Sequence, residues 1–207
     1  LEDDQESVVN KKPEVIIFAG PNGSGKSTIT RLLRPIEIPY VNADEIQRLH
    51  GCDNLEAAKI AEQRREELVS KFQDFAFETV LSTDRNLNLL RKAKEAGFFV
   101  RCYYVLTADP QINVARVASR VDAGGHDVPT EKIISRYYKA LSLVRELVPI
   151  CDVCHIYDNS LSEPYRIFKK RKEECYYCSE PQLWLKQDIL QLTGVKDAKN
   201  ASLNKSN

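Results

Sequence analysis

FAGPNGSGKST, residues Phe18 to Thr28, holds three glycines and a lysine directly after a short apolar run. Within it, Gly20 to Ser27 fits the pattern G-x-x-x-x-G-K-[S/T], and the segment STITRLL that continues it has a helical composition. Glycines between a strand and a helix let consecutive backbone N–H groups turn towards one anion, and the helix N-terminus adds about half a positive charge. The stretch therefore predicts a phosphate-binding loop.

We expect this loop to bind the phosphates of ATP. The Lys26 ammonium would lie on the outer phosphates, and the Ser27 hydroxyl would hold Mg²⁺. A glycine-rich turn with a chance lysine is the competing interpretation, and the complete motif in its strand-to-helix context disfavours it. The predicted nucleotide-binding residues are Gly20, Pro21, Asn22, Gly23, Ser24, Gly25, Lys26, Ser27 and Thr28.

The apolar runs EVIIFAG, PYVNAD, FAFETVLS, GFFVRCYYVLT and CDVCHIYDNS alternate with helical stretches. This alternation is typical of an α/β domain with a mainly parallel sheet. We predict a P-loop NTPase fold of the kinase type, in which helices flank a parallel sheet and a helical lid and a C-terminal hairpin plus helix are added. A single domain is expected over residues 13–195 with its lid at about 109–136, and flexible tails are expected at 1–12 and 196–207.

Charge and hydropathy exclude several classes of protein. The chain has 30 Lys and Arg against 30 Asp and Glu, so no basic field would gather nucleic acid or an anionic membrane. No apolar run approaches the length of about 18 residues that a membrane span needs, and the N-terminal residues are acidic and polar. We expect a cytoplasmic protein that binds neither nucleic acid nor membrane.

Missing motifs narrow the class of P-loop protein. The N-K-x-D motif of GTPases and the L-S-G-G-Q signature of ABC-type ATPases are both absent from the sequence. The remaining class is the small-molecule kinases, in which acidic residues on neighbouring strands and a basic lid complete the site around the phosphate loop.

Two acids lie where such a kinase needs them. Asp44 closes the run YVNAD, and Glu78 closes FAFE, so both are expected at the carboxyl edge of the sheet. Asp44 could accept the proton of an attacking hydroxyl, although Asp44 with Gln47 also fits a helix cap. An unpaired buried carboxylate is costly, so Glu78 should meet substrate, a cation or metal-bound water, and the Thr79 hydroxyl faces the same crevice.

The predicted lid carries basic residues. Arg116 and Arg120 are four residues apart and share a helix face, where like charges repel unless an anion lies between them. Gly124 and Gly125 follow as a hinge, and His126 beside it is a candidate substrate contact. A closing lid would bring the two guanidinium groups to the transferred phosphoryl group, whereas pairing with surface acids is the competing interpretation.

The six cysteines include two CxxC pairs, Cys151 with Cys154 and Cys175 with Cys178. Their separation is close to that of a zinc ribbon. However, each pair lies in a predicted strand or hairpin, where residues three apart face opposite sides, so each would need a bend to converge. Small buried thiols are the favoured interpretation, and a zinc-organised nucleic-acid binder finds little support in the neutral charge.

The segments IIFAGPNGSGKST, VNADEI, FAFETVLS, YYVLTADP, RVASRVDAGGHDVP and DNS together resemble the zeta-toxin-like P-loop kinases, from about Glu14 to Ser160. The resemblance implies a kinase that uses ATP and Mg²⁺ to phosphorylate the 3′-hydroxyl of the amino sugar in UDP-N-acetylglucosamine. The phosphorylated product poisons cell-wall synthesis. By position it makes Lys26 the phosphate-binding lysine, Asp44 the base, Glu78 the strand-end acid and Arg120 the lid arginine.

The sequence departs from the plasmid toxins of that family at Asn42, where they carry an acid, and near His126, where they carry a second lid arginine. It is more similar to the chromosomal branch, which has N-A-D-E and G-G-H-x-V-P at these places. We nevertheless expect Asn42, like Glu78, Thr79 and His126, to contact substrate. A separate antitoxin chain that blocks the ATP site is the partner that the resemblance implies. A kinase of another nucleotide-like metabolite and a nucleotide-gated binding switch with weak ATPase activity are the alternatives.

Overall fold

Strands and helices alternate along residues 11–122, 127–178 and 183–204, the part of the chain that the computed structural model describes. The elements in chain order are β1 Glu14–Ala19, α1 Lys26–Leu33, β2 Tyr40–Val41, α2 Ala43–His50, α3 Asn54–Ser70, β3 Phe75–Thr79, α4 Arg85–Glu95, β4 Phe99–Leu106, α5 Pro110–Asp122, α6 Thr130–Ser142, α7 Val144–Ile150, β5 Val153–Asp158, β6 Tyr165–Arg171, β7 Glu174–Cys178, α8 Lys186–Thr193 and β8 Lys199–Ala201.

All eight described strands form one sheet, in the order β2-β3-β1-β4-β5-β6-β7-β8. Strands β1 to β5 pair in parallel, and β6 and β7 continue the sheet as an antiparallel hairpin. The predicted α/β kinase-type fold is confirmed, and the C-terminal hairpin extends the main sheet. Because β1 lies between β3 and β4, the loop after β1 opens beside the ends of both neighbours.

Two cores lie on opposite faces of this sheet, as the alternation of side chains along each strand requires. The larger core packs helices α3, α4, α7 and α8 against the sheet, and Trp184 joins it from the segment before α8. The smaller core packs Ile29 of α1 against Ile16, Phe18, Ala76 and Val105. Among the described helices, none combines the length and apolarity that a bilayer crossing demands.

The C-terminal segment differs from the expected flexible tail. Residues Lys199–Ala201 form β8, which pairs in parallel with β7. Beyond it Leu203 is buried, and the side chain of Asn204 exchanges hydrogen bonds with the backbone of Arg166. The polar composition misled the prediction because a short edge strand needs backbone pairing rather than apolar side chains. Of the N-terminal tail, residues 1–10 lie outside the described part.

Asp152 ties together the ends of the sheet that lie away from the phosphate loop. Its carboxylate accepts a hydrogen bond from the Val100 N–H at 2.8 Å and contacts the Lys94 ammonium, and its own N–H donates to Val100 O. Partial burial opposes ionisation, but the hydrogen bonds from Lys94 and Val100 prevail and hold the pKa of Asp152 below its usual 3.8. The folded state therefore favours the ionised carboxylate.

We expect Asp152→Ala to lower the free energy of unfolding at pH 7 by about 1–3 kcal/mol, because the Val100 N–H loses its acceptor. Since the pKa is depressed on folding, this contribution is present above the unfolded pKa and is lost as pH falls through the folded pKa. Urea denaturation should thus show the gap to wild type closing below about pH 4. Glu95→Ala, a change at an exposed acid of α4, is the control, and equal stability of Asp152→Ala and wild type at pH 7 would contradict the assignment.

Candidate active site

The loop Gly20–Gly25 joins β1 to α1 at the carboxyl edge of the sheet. Its first residue is anchored to the neighbouring strand, because the Gly20 N–H donates to Thr79 O at 3.2 Å. Helix α1 begins at Lys26, so its unpaired N-terminal N–H groups face the loop. The structure thus has the strand, loop and helix that the phosphate-binding motif requires.

Two asparagine side chains from later segments hold the loop in shape. Asn113 of α5 donates through Nδ2 to Asn22 O at 2.6 Å, and Asn159 after β5 donates through Nδ2 to Ser24 O at 2.8 Å. Asn113 is fully buried and its Oδ1 accepts a hydrogen bond from the Thr107 hydroxyl, which fixes the amide orientation. Asn159 lies in the segment DNS that contributes to the family resemblance, although the sequence assigned it no role. The signal for Asn113 is a polar residue on the buried face of α5, four positions before Val117.

Two loop glycines are required by this close approach. Gly23 and Gly25 have φ of 74° and 92°, a region that side chains other than glycine rarely adopt. A Cβ on Gly23 would lie 2.5 Å from Asn113 O, and one on Gly25 would lie 2.1 Å from Asn159 Nδ2. The glycines of the motif therefore make room for the asparagines that support the loop.

Lys26 lies at the centre of the charged groups of the site. Its ammonium donates to Pro21 O at 3.2 Å. Burial lowers the pKa of Lys26, the carboxylates of Glu78 and Asp44 raise it, and the guanidinium of Arg120 lowers it, with a net decrease. Four residues that the sequence singled out thus interact electrostatically around one point, although they come from four different elements.

Ser27 and Glu78 meet where a metal ion is expected. The Ser27 hydroxyl is exposed and donates to Glu78 Oε2 at 3.2 Å. A hydroxyl and a carboxylate are oxygen donors of the kind that Mg²⁺ prefers, so the pair fits the ion that accompanies ATP. The Tyr40 hydroxyl contacts Glu78 from β2, and its burial together with that carboxylate raises the pKa of Tyr40, which keeps the phenol protonated.

Asp44 lies in the first turn of α2 and its side chain is exposed to solvent. The helix is capped by Asn42, whose Oδ1 accepts the Asp44 N–H at 2.9 Å. The alternative interpretation of Asp44 with Gln47 as a helix cap is therefore wrong, because the helix begins two residues earlier. Asn42 also donates from Nδ2 to the Tyr40 hydroxyl, so the residue predicted to contact substrate orients both the helix and its neighbour.

Thr79, another predicted substrate contact, uses its hydroxyl within the protein. Its Oγ1 accepts hydrogen bonds from the Leu81 N–H at 2.9 Å and from Asn86 Nδ2 at 2.8 Å. Leu81 has a φ of 55°, so these bonds support a strained turn between β3 and α4. A contact between Thr79 and substrate stays a prediction.

The two lid arginines have different surroundings. Arg116 donates to Leu161 O at 3.4 Å, and its Nη1 is buried without an acceptor among the described residues. Arg120 is exposed and acts on Lys26, as noted above. Helix α6 is fixed to the end of β4 by the Tyr137 hydroxyl, which donates to Thr107 O at 2.6 Å. The predicted hinge and His126 lie outside the described residues.

Sequence comparison assigns a family to this arrangement of loop, acids and lid. The family model for the zeta toxin matches residues 1–173. The chain belongs to the zeta toxin family. The predicted resemblance is thereby confirmed, and the matched residues include the loop, both acids and both lid arginines.

Solved structures share the fold of this zeta toxin family member. The PezAT chromosomal toxin-antitoxin system of Streptococcus pneumoniae gives a TM-score of 0.57 at 21% identity, over 80% of this chain and 75% of that chain. The AvrRxo1-ORF1:ORF2 complex with ATP gives 0.67 at 14% identity, over 95% and 67%. An uncharacterized protein of Haemophilus influenzae is 29% identical over 129 residues, which are 60% of this chain and 92% of that protein. Family and fold are those of P-loop phosphotransferases.

We expect Gly25→Ala to weaken ATP binding by at least about 30-fold, because backbone strain and a displaced Asn159 amide together cost roughly 2–3 kcal/mol. Gly51→Ala is a matched control, since Gly51 has a φ of 64° but a Cβ there would meet nothing within 4 Å. That variant should lose about 1–2 kcal/mol of stability and keep its affinity for ATP. Calorimetric titration with a non-hydrolysable ATP analogue measures the affinity of each variant, and equal affinities of the two variants would refute the contact.

Proposed function

We propose that this zeta toxin family member is an ATP- and Mg²⁺-dependent kinase that transfers the γ-phosphate to a hydroxyl of a UDP-amino sugar such as UDP-N-acetylglucosamine. The observation that carries the proposal is the supported phosphate loop, at whose helical end the Ser27 hydroxyl bonds Glu78, with Asp44 and Arg120 acting electrostatically on Lys26 beside it. Phosphoryl transfer is catalysed by positioning and by charge stabilisation, and these are the groups that both require.

The loop would bind the triphosphate through its backbone N–H groups and the N-terminus of α1. Asn113 and Asn159 hold the loop carbonyls of Asn22 and Ser24, so the loop is shaped before the nucleotide arrives. A loop shaped in advance loses less conformational entropy on binding, and this favours affinity. Lys26 would neutralise the outer phosphates, and its ammonium already has one carbonyl partner in Pro21.

Asp44 would act as the general base. Its carboxylate is exposed to solvent, so an incoming hydroxyl can reach it, and its charge acts on Lys26. It would accept the proton of the acceptor hydroxyl as the oxygen attacks the γ-phosphate. Arg120 would stabilise the charge that develops on the transferred group, and Arg116, through its unpartnered Nη1, is the second candidate for that role.

Ser27 and Glu78 are the residues that would hold Mg²⁺, either directly or through water. When bound, the ion would neutralise charge on the phosphates. Glu78 is also placed to orient the acceptor, since it lies beside Tyr40 and Ser27 at the same edge of the sheet.

The proposed acceptor and the proposed partner are inferred from family membership and from a solved structure of similar fold. The resemblance to zeta-toxin-like kinases implies UDP-N-acetylglucosamine as the acceptor, and membership of the zeta toxin family supports this class of acceptor for this chain. The PezAT structure is of a toxin-antitoxin system, which supports a separate antitoxin chain as a partner here. Because the reaction consumes ATP, we place it in the cytoplasm.

We expect Asp44→Asn to lower kcat by about 10²–10⁴-fold, because the amide cannot accept the proton of the attacking hydroxyl. Binding of an ATP analogue should be retained, since Asp44 is not part of the loop. Glu45→Gln is the matched control: Glu45 is the adjacent exposed acid of α2, and its change should leave kcat close to wild type. Turnover by Asp44→Asn at the wild-type rate would remove Asp44 as the base.

We also expect UDP-N-acetylglucosamine to gain one phosphate when incubated with the protein, ATP and Mg²⁺. A bacterial metabolite extract treated in parallel and followed by mass spectrometry shows whether another compound is phosphorylated instead, with Asp44→Asn protein as the blank. Phosphate on a different metabolite would support the proposed kinase activity and would show that the proposed acceptor is wrong. Phosphate released to water alone would favour the nucleotide-gated switch.

A further inference from the structure

Three cysteines from different segments converge inside the larger core. Cys102 lies in β4, Cys151 follows α7, and Cys154 lies in β5. Their Sγ atoms are all within 4.8 Å of one another, and each residue is at most 2% exposed. All three are free thiols. The group lies on the side of the sheet covered by α7, away from the smaller core.

The convergence differs from what the two CxxC pairs suggested. Cys151 precedes the first residue of β5, Val153, so it lies in the turn after α7 and not on the strand. This turn supplies the bend that a CxxC pair within one strand would lack. Cys102 completes the group because it is the register partner of Cys154 on the neighbouring strand. Cys175 and Cys178 lie apart on β7, where Cys178 Sγ contacts the Tyr165 hydroxyl.

A cation is fixed next to the three sulfurs. Lys170 is the register partner of Cys154 on β6, and its ammonium donates to Val148 O at 2.9 Å and to Pro149 O at 3.2 Å. These carbonyls belong to the last turn of α7, immediately before Cys151. Paired residues of antiparallel strands lie on the same face of a sheet, so the Lys170 side chain is on the side where the sulfurs lie, and its charge would offset negative charge on them.

We propose that Cys102, Cys151 and Cys154 form a binding site for one thiophilic d¹⁰ metal ion, of which Cu⁺ fits best. Three sulfur donors suit soft ions, and among the described residues no further Cys, His, Asp or Glu joins the group. Structural Zn²⁺ almost always takes four protein ligands, whereas Cu⁺ is selected by thiolates. As each S–metal bond forms, the thiol releases its proton to solvent, and the Lys170 ammonium offsets part of the resulting charge.

The bound ion would raise the stability of the folded protein and would leave phosphoryl transfer at the phosphate loop unchanged. Cys102 is the register partner of Ile17 on β1, three positions or about 10 Å of strand before Gly20, where the phosphate loop begins. The ion would join β4, β5 and the end of α7, which are separate in sequence. Binding to the folded state alone raises the resistance of the protein to unfolding.

The test titrates fully reduced protein with Cu⁺ held by a colorimetric chelator, with oxygen excluded, and repeats the titration with Cd²⁺. We expect one equivalent to bind, sulfur-to-metal charge-transfer absorption to appear and the melting temperature to rise, while ATP turnover is unchanged. Cys102→Ala and Cys154→Ala should each weaken binding by more than about 100-fold, since changes in outer-shell partners alone cost 10–100-fold. Lys170→Met should weaken it by about 10-fold.

The double variant Cys175→Ala, Cys178→Ala removes the other CxxC pair and is the matched control, which should bind like wild type. Binding of an ATP analogue reports whether each variant is folded. X-ray absorption of the Cu⁺-loaded wild-type protein needs no variant and should count three sulfur neighbours. No uptake by wild type, an absorption band that survives in Cys102→Ala, loss of binding in the double variant, or a first shell without three sulfurs would each overturn the proposal.

Discussion

The hydrogen bonds that two asparagine amides donate to the phosphate loop set the geometry on which the rest of the site depends. A glycine-rich loop has many accessible conformations, and each glycine adds to the entropy that ordering must overcome. Asn113 and Asn159 donate to the carbonyl oxygens of Asn22 and Ser24 and thereby fix the direction of two peptide groups in the loop. The same two residues explain why glycine is required at positions 23 and 25, where a side chain would displace them.

Asn113 also connects the predicted lid to the phosphate loop. Asn113 belongs to α5, the helix that carries Arg116 and Arg120, and its amide is oriented by Thr107 at the end of β4. The Tyr137 hydroxyl of α6 donates a hydrogen bond to the carbonyl oxygen of that same threonine. Both predicted lid helices therefore hydrogen-bond to Thr107 at the carboxyl end of β4. Asn113 extends this connection to the phosphate loop, which the lid would cover.

Local patterns predicted the strand, loop and helix of the phosphate-binding motif and the α/β class, because each depends on neighbouring residues: motif spacing and the alternation of apolar runs. The supports of the loop are not local. Asn113 and Asn159 lie 91 and 135 positions away from the carbonyls that they bind, and no periodicity in the sequence encodes that pairing. Residue type misled at the C-terminus, where a polar segment forms β8, and the less favoured interpretation of Asp44 as a helix cap is excluded because Asn42 caps α2. The three-cysteine group is a further case, because strand register and a turn, and not CxxC spacing, bring its sulfurs together.

The two outermost strands of the sheet, β2 with two residues and β8 with three, are the shortest of the described strands. An outer strand presents unpaired backbone groups that can recruit another polypeptide, and the number of such groups grows with strand length. Ending the sheet on such short strands leaves little template for cross-β self-association. The long, apolar β4, which would be hazardous at a border, is enclosed between β1 and β5. The order of strands thus guards against aggregation while it positions the site.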